Sequence, residues 1–418
     1  MIHKIYNLLL SLAWPILFLH FLRGKYILKK YKKNLSARLG WFSLKSSPQS
    51  KRILIHAVSV GETVASQPFI LDLKKKFPNY SIIFSNVTET GHQRAQEIIP
   101  ADDFIFFPLD YKESVSRFLK KVNPEYVFIV ETEIWPNFLL ECQKRKIKTI
   151  FINGRISKKS FERYGLFKEY FSTLIQESHF YMQSQIDLQR IQALGANNAI
   201  NCGNLKYDQL DLNLNSKLPQ TLQDQFHQYT KKIIIFGSSH QQETKEILSL
   251  ISRLKHHECH FIVAPRHLNY LSQYIKEAEN LNLSFSLKSK ELSPHKDFTF
   301  LDTYGELSCI YKISEIVIIC GSFENIGGHS ILEPAIFNNA ILYGPHMQNN
   351  VEICQTFERN NASLKCHDFE DLFQKIELIL SNDLLKIELS NNAYASASKL
   401  KGTSSKIFAH LNKSKLLN

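Results

Sequence analysis

Residues 53–63 read ILIHAVSVGET: an apolar run, Ile53 to Ala57, passes straight into a small polar turn, Val58 to Thr63, that opens a helical pattern running through Leu71 and Leu73. A short run that is apolar at successive positions suits a strand buried on both faces, the condition of strands in parallel sheets. The same phrase recurs. SIIFS (Ser81 to Ser85), FIFFP (Phe104 to Pro108), YVFIV (Tyr126 to Val130) and TIFIN (Thr149 to Asn153) alternate with helical patterns, and strand-then-helix repetition predicts a parallel sheet covered on both faces. From Gln209 to Tyr229 the chain is polar and lacks a strand signal. The alternation then resumes with IIIFG (Ile233 to Gly237), HFIVA (His260 to Ala264), FTFLD (Phe298 to Asp302), EIVIIC (Glu315 to Cys320) and AILYG (Ala340 to Gly344).

The chain therefore reads as α/β, with two Rossmann-like domains facing a cleft and ligands expected in the loops after the strands' carboxyl ends. The expected organisation is a hydrophobic anchor with a basic flank (1–33), a first Rossmann-like domain (34–210), a linker (211–229), a second Rossmann-like domain (230–390) and a tail (391–418) whose polar start leads to a last helix from Lys406 to Leu416. No internal repeat of fixed period stands out.

A chain of 418 residues, 44% hydrophobic and 22% charged, can bury two separate cores. Its seven cysteines (Cys142, Cys202, Cys259, Cys309, Cys320, Cys354 and Cys366) are scattered and never form the close pairs of zinc or redox dithiol sites, so they read as buried thiols of a reducing compartment. The formal charge of +12 draws polyanions without choosing among them. No arginine-rich block or aromatic ribonucleoprotein signature accompanies it, which ranks nucleic acid below an anionic membrane surface.

Ile5 to Leu22, IYNLLLSLAWPILFLHFL, carries no formal charge and is followed by Arg23, Lys25, Lys29, Lys30, Lys32 and Lys33. At about 18 residues it is short for a bilayer span, and Asn7, Pro15 and His20 disfavour a straight crossing helix. A single span, an interfacial anchor and a helix of a soluble core all stay open. Dense positive charge stands where a cleaved signal would need small residues. The positive-inside rule puts the body of the protein on the cytoplasmic face of the inner membrane.

Chemistry collects at strand ends. In VSVGET, Glu62 lies where a carboxylate can take a proton from a sugar hydroxyl, or where it merely complements a helix N-terminus. ETEIWPN, after the Tyr126 to Val130 strand, offers Glu131 and Glu133 beside Trp135, either as ligands for a polar substrate or as helix caps over a core tryptophan. The loops NVTETG (Asn86 to Gly91), NGRIS (Asn153 to Ser157) and GNLKYD (Gly203 to Asp208) add Arg155 and Lys206, cations suited to phosphate or carboxylate. In the second half, GSSH (Gly237 to His240) opens a helix, Arg266 and His267 follow a strand in APRH, and CGSFENIGGHSILEP places Gly327 and Gly328 before Ser330 and Glu333. A glycine-rich turn can cradle a nucleotide phosphate, Arg266 can balance its charge, and Glu333 can accept from ribose hydroxyls.

Through RLGWF, HAVSVGET, ETEIWPN, NGRIS, GNLKYD, APRH, DTYGEL, GGHSILEP and YGPH, in order along the chain to about Val351, the sequence resembles the transferases of 3-deoxy-manno-octulosonic acid (Kdo) in lipopolysaccharide synthesis. That resemblance implies a B-type glycosyltransferase fold, CMP-Kdo as donor, and the distal glucosamine of a tetra-acylated lipid A precursor as acceptor. It implies Glu62 as the base of an inverting displacement, with Gly61, Glu131, Arg155 and Lys206 on the acceptor side. The donor set is Ser238, Arg266, His267, Tyr304, Gly305, Glu306, Gly328, Ser330 and Glu333. The resemblance calls for neither metal nor cofactor. Two departures touch the donor site: the family usually has Asn at the position of Ser330 and Pro at that of Leu268. A B-type transferase or epimerase using UDP-sugars, a non-catalytic membrane scaffold, and a nucleic-acid binder are the competing readings.

Overall fold

The computed structural model of the chain describes residues 2–26, 35–47, 49–210, 231–290 and 292–417, with backbone alone for 16–26. The linker expected at 211–229 lies outside them, as do Lys29, Lys30, Lys32 and Lys33. The chain divides into two compact units, Met1–Gln209 with Gly402–Asn418, and Leu210–Lys401. Each is built on a seven-stranded parallel sheet.

In the first unit the strands are β1 Lys51–Ala57, β2 Tyr80–Asn86, β3 Asp103–Phe106, β4 Tyr126–Val130, β5 Lys148–Gly154, β6 His179–Met182 and β7 Asn198–Asn201, in the order β3-β2-β1-β4-β5-β6-β7. Ile55 stands in register with Phe84 on one side and Phe128 on the other. The chain winds outward from β1 through β2 and β3, then starts again at β4 on the opposite side of β1. Loops after β1 and β4 therefore leave in opposite directions and open a crevice at the carboxyl edge, the usual ligand position in such sheets. Ile53, Ile55, Phe84, Phe128 and Ile150 are fully buried, as their branched and aromatic side chains between two helical layers require. Phe69, from the helix Val60–Lys76, stacks at 4.8 Å on Phe408 of the last helix, Thr403–Lys413. Asp208 fixes that helix: its Oδ1 accepts from Gly402 N (2.8 Å) and Thr403 N (3.1 Å), and its Oδ2 from Ser404 N (2.6 Å).

The second unit repeats the plan with β8 Lys232–Ser239, β9 Cys259–Pro265, β10 Phe285–Leu287, β11 Phe298–Phe300, β12 Ile316–Ile319, β13 Ala340–Tyr343 and β14 Leu364–Lys365, ordered β10-β11-β9-β8-β12-β13-β14. Its reversal falls between β8 and β12.

The segments expected as strands are strands, with ends that differ by one or two residues: β1, β2, β5, β8 and β9 run longer than expected, and β3, β11, β12 and β13 stop earlier. Four further strands carried no signal: β6, β7, β10 and β14 are two to four residues long and partly polar. The tail is corrected. Asn391 to Leu400, expected as a polar linker, completes the helix Asp383–Leu400. Its buried positions, Leu389, Ser390, Ala393, Ser396 and Ala397, follow a helical period with small residues, so the composition looks like a linker while the spacing packs like a helix.

The N-terminal segment is a helix, Ile2–Tyr26, but no described helix is long and apolar enough to cross a membrane. Lys4, Arg23 and Lys25 bracket the apolar run, and its polar residues are used to dock the helix. His3 Nδ1 pairs with Tyr170 OH (2.9 Å), Tyr6 OH donates to Asp110 Oδ2 (2.8 Å), Asn137 Nδ2 donates to Asn7 Oδ1 (2.9 Å) and Tyr111 OH donates to the Leu10 carbonyl (2.8 Å). Ile5, Leu8, Leu9 and Leu12, spaced as one helical stripe, stay 48–65% exposed.

Candidate active site

In the first unit, residues gather at the β1/β4 switch point. Ser59 caps the helix Val60–Lys76. Its Oγ donates to Glu62 Oε1 (2.9 Å), and Val58 N donates to Glu62 Oε2 (2.7 Å). Glu62 is therefore a helix-cap residue in fact, yet each oxygen keeps a second lone pair. Burial raises its pKa above the ordinary carboxylate value; the bonds from Val58 and Ser59 oppose that rise and the Glu131 charge adds to it.

Across the crevice, Glu131 directly follows β4 in the left-handed region (φ 61°), an uncommon and strained conformation for a residue with a Cβ. Burial raises its pKa and the Arg155 cation pulls it down. Glu133 is moved furthest, up to about 7, by burial and then by the charges of Glu62 and Glu131. Glu131, Glu133, Trp135, Arg155, Arg163 and Tyr164 help line a cavity of about 520 Å³. The two carboxyl groups and two guanidiniums of that cavity can hold hydroxyls and a phosphate together, and a carboxylate with a raised pKa, as at Glu62, is a better base. Asn137 serves the frame of the site and not its chemistry. Its N, with Phe138 N, donates to the buried Asp110 and holds the start of the helix Pro136–Lys144. Arg155 is exposed and anchored through its backbone to Thr132 Oγ1 (3.0 Å). Asn153 Oδ1 accepts from Leu205 N (2.9 Å), joining NGRIS to GNLKYD. Lys206 is exposed.

In the second unit, the β8/β12 switch point gathers histidines. Ser238 bulges out of β8 with φ 59°, and His240 follows. Glu243, fully buried, accepts from His240 N (3.1 Å), Gly321 N (2.8 Å) and Phe323 N (3.2 Å), and so ties the loop after β8 to the loop after β12. His240 Nε2 lies 2.9 Å from His329 Nε2. Arg266 N donates to Ser239 O (2.9 Å), bringing the Arg266–His267 pair alongside, and the His267 ring stands edge-on to His240 at 5.8 Å. His240, His267, Tyr270 and Tyr274 help line a cavity of about 220 Å³.

Gly328 has φ 69°, a conformation that glycine adopts freely; it precedes His329, Ser330 and then Glu333. The helix expected to carry Glu333 is a single turn, Leu332–Ala335, too short for a useful macrodipole. Tyr304, Gly305 and Glu306 follow β11, which stands two strands from β8, on the stretch that leads to β12. There Tyr304 is 74% exposed and Glu306 is paired with Lys288 at 2.7 Å. Sequence reading missed Arg163, Tyr164, His240 and His329 as site residues; only the topology brings them in. No group of three or more His, Cys, Asp or Glu side chains suited to a metal ion occurs among the described residues.

The sequence profile of the 3-deoxy-D-manno-octulosonic-acid transferase (kdotransferase) family matches residues 33–209. The chain is 31% identical over 353 residues to the 3-deoxy-D-manno-octulosonic acid transferase of Rickettsia typhi, covering 83% of this chain and 76% of that one. Among solved structures it is similar to UDP-GlcNAc 2-epimerase from Neisseria meningitidis bound to UDP-GlcNAc, with a TM-score of 0.59 at 16% identity over 87% of this chain and 100% of that one. It is also similar to a glycosyltransferase from Rickettsia africae, with a TM-score of 0.56 at 16% identity over 88% and 100%. These two likenesses are of fold. The relationship in sequence, over most of both chains, goes further: the chain belongs to the 3-deoxy-D-manno-octulosonic acid transferase family and is a glycosyltransferase.

Proposed function

We propose that the chain transfers Kdo from CMP-Kdo to the primary hydroxyl of the distal glucosamine of a tetra-acylated lipid A precursor, with inversion, Glu62 acting as general base. The observation that carries this reading is the half-buried Glu62, with a raised pKa, facing the Glu131–Glu133 pair across the β1/β4 crevice. The acceptor hydroxyl gives its proton to Glu62 as its oxygen bonds to the anomeric carbon of Kdo. The bond from that carbon to the phosphate oxygen breaks, and CMP leaves with the electron pair. Arg266 offsets the charge that develops on the phosphate. Glu131, Arg155 and Arg163 orient the sugar hydroxyls and phosphate of the acceptor.

Such an acceptor resides in a membrane, and the N-terminal helix offers a means of reaching it. With Ile5, Leu8, Leu9 and Leu12 exposed and basic residues from Arg23 onward, the helix lies in the cytoplasmic interface of the anionic inner membrane without crossing it.

The test is mass spectrometry of products from CMP-Kdo plus the tetra-acylated precursor, with UDP-GlcNAc as competing donor. Addition of one or more Kdo units from CMP-Kdo alone supports the reading. Turnover of UDP-GlcNAc in its place would overturn it.

A further inference from the structure

We propose that His240 and His329 form a proton-sharing pair that binds the phosphodiester of the nucleotide-linked donor and takes up one proton when that anion arrives. This rests on the donor reading above and adds two residues to it.

The two histidines are far apart in sequence and meet because β8 and β12 are neighbours, Gly237 standing in register with Ile319. Their Nε2 atoms are 2.9 Å apart and their ring planes differ by 8°. Two imidazole nitrogens at that separation hold one proton between them: two protons would set N–H against N–H, and none would set lone pair against lone pair. Each ring therefore fixes the tautomer of the other. The arrangement is built in. Gly321, at φ 69°, lies under both rings, and a Cβ there would come within 3.2 Å of each. Glu243 clamps the two loops by accepting from His240 N, Gly321 N and Phe323 N, so its charge is already engaged.

The ionisable groups facing the pair are Arg266 and His267 from the end of β9, with Tyr270 edge-on to His267. Burial lowers the pKa of both histidines, His329 to about 4, and the neighbouring cation and imidazoles push the same way. The unliganded pair is therefore neutral at neutral pH. A phosphodiester beside Arg266 reverses that balance, because its negative charge favours the charged form of the pair. A proton from solvent then completes one ring to imidazolium, and the shared Nε2–H···Nε2 bond spreads the charge over both loops. The site gains its second cation only when the anion is present, which disfavours uncharged sugars.

The test is calorimetric titration of the full chain with cytidine 5′-(methyl phosphate), a diester whose single charge does not titrate near neutrality, in buffers of different ionisation enthalpy. The expected result is net proton uptake on binding and an affinity that tightens as pH falls, by up to about tenfold per pH unit. Binding with no uptake and no pH dependence would overturn the pair's role while leaving the donor reading intact. No binding at all would overturn both. His329→Gln and His240→Gln are expected to abolish the uptake and weaken binding about tenfold, whereas His267→Gln keeps the uptake. Uptake that follows His267 instead would reject the pair. The wild-type titration decides the question even if a variant fails to fold.

Discussion

At the switch point of the first sheet, between β1 and β4, stand carboxyl groups: Glu62 on one side, Glu131 and Glu133 on the other. At the same place in the second sheet, between β8 and β12, stand imidazoles: His240 on one side, His329 on the other, with Arg266 beside them. Burial drives both kinds of group toward neutrality, raising the carboxyls and lowering the imidazoles. The consequences differ. A carboxylate with a raised pKa holds a proton better, which suits taking one from a hydroxyl. An imidazole with a lowered pKa stays neutral until an anion comes. One supersecondary plan, used twice, thus carries a carboxyl-lined crevice in one unit and an imidazole cluster in the other, and the difference lies in loop residues, not in the frame.

The largest expected break of this contrast is Glu62→Gln. Glutamine keeps an acceptor for Val58 N and so preserves the cap, but it cannot take the proton. Turnover should fall by about 10²–10⁴-fold with an unchanged thermal midpoint, whereas Glu62→Ala would confound the result by also losing the cap. On the other side, Arg266→Ala should weaken donor binding by about 10- to 100-fold, as loss of charge-assisted bonds to a phosphate does. It should leave acceptor binding unchanged, and parallel calorimetry with each ligand checks this.

Much of this was legible in the sequence. Parallel central strands are buried on both faces, so β1, β4, β8, β9 and β12 announce themselves as unbroken apolar runs, and the acidic motifs that follow β1 and β4 point at the crevice. Edge strands such as NAIN at β7 lack that burial and hence the signal. The histidine pair left no trace in the sequence, because a lone histidine in GSSH and another in GGHS become neighbours only through the strand order. Asp208 sat in a motif read for chemistry, yet it is consumed by capping the last helix. At the N-terminus, Asn7 reads in the sequence only as a polar interruption of an apolar run; its partner Asn137 lies 130 residues away, so its docking hydrogen bond is not legible there.

A pH experiment refines the carboxyl side. Glu133 loses its proton at about pH 7, and the negative charge that then appears beside Glu62 strengthens it as a base, so turnover should step upward as pH rises through that value. Glu133→Gln removes the charge at every pH. The step should vanish, with turnover above pH 7 lower by roughly two- to fivefold; a step that persists would assign the titration to another group. The smallest effect concerns docking of the N-terminal helix. Tyr6→Phe deletes the donor to Asp110 and should lower local stability by about 1 kcal/mol, read as faster amide exchange across residues 3–12 with donor binding untouched.

The division between base and donor pocket is tested by measuring, on Glu62→Gln, both donor affinity for cytidine 5′-(methyl phosphate) and turnover with CMP-Kdo. Donor affinity within about twofold of wild type, with turnover at least about a hundredfold lower, is the predicted result. Donor affinity that falls in step with turnover, or turnover that survives within about tenfold, would contradict it.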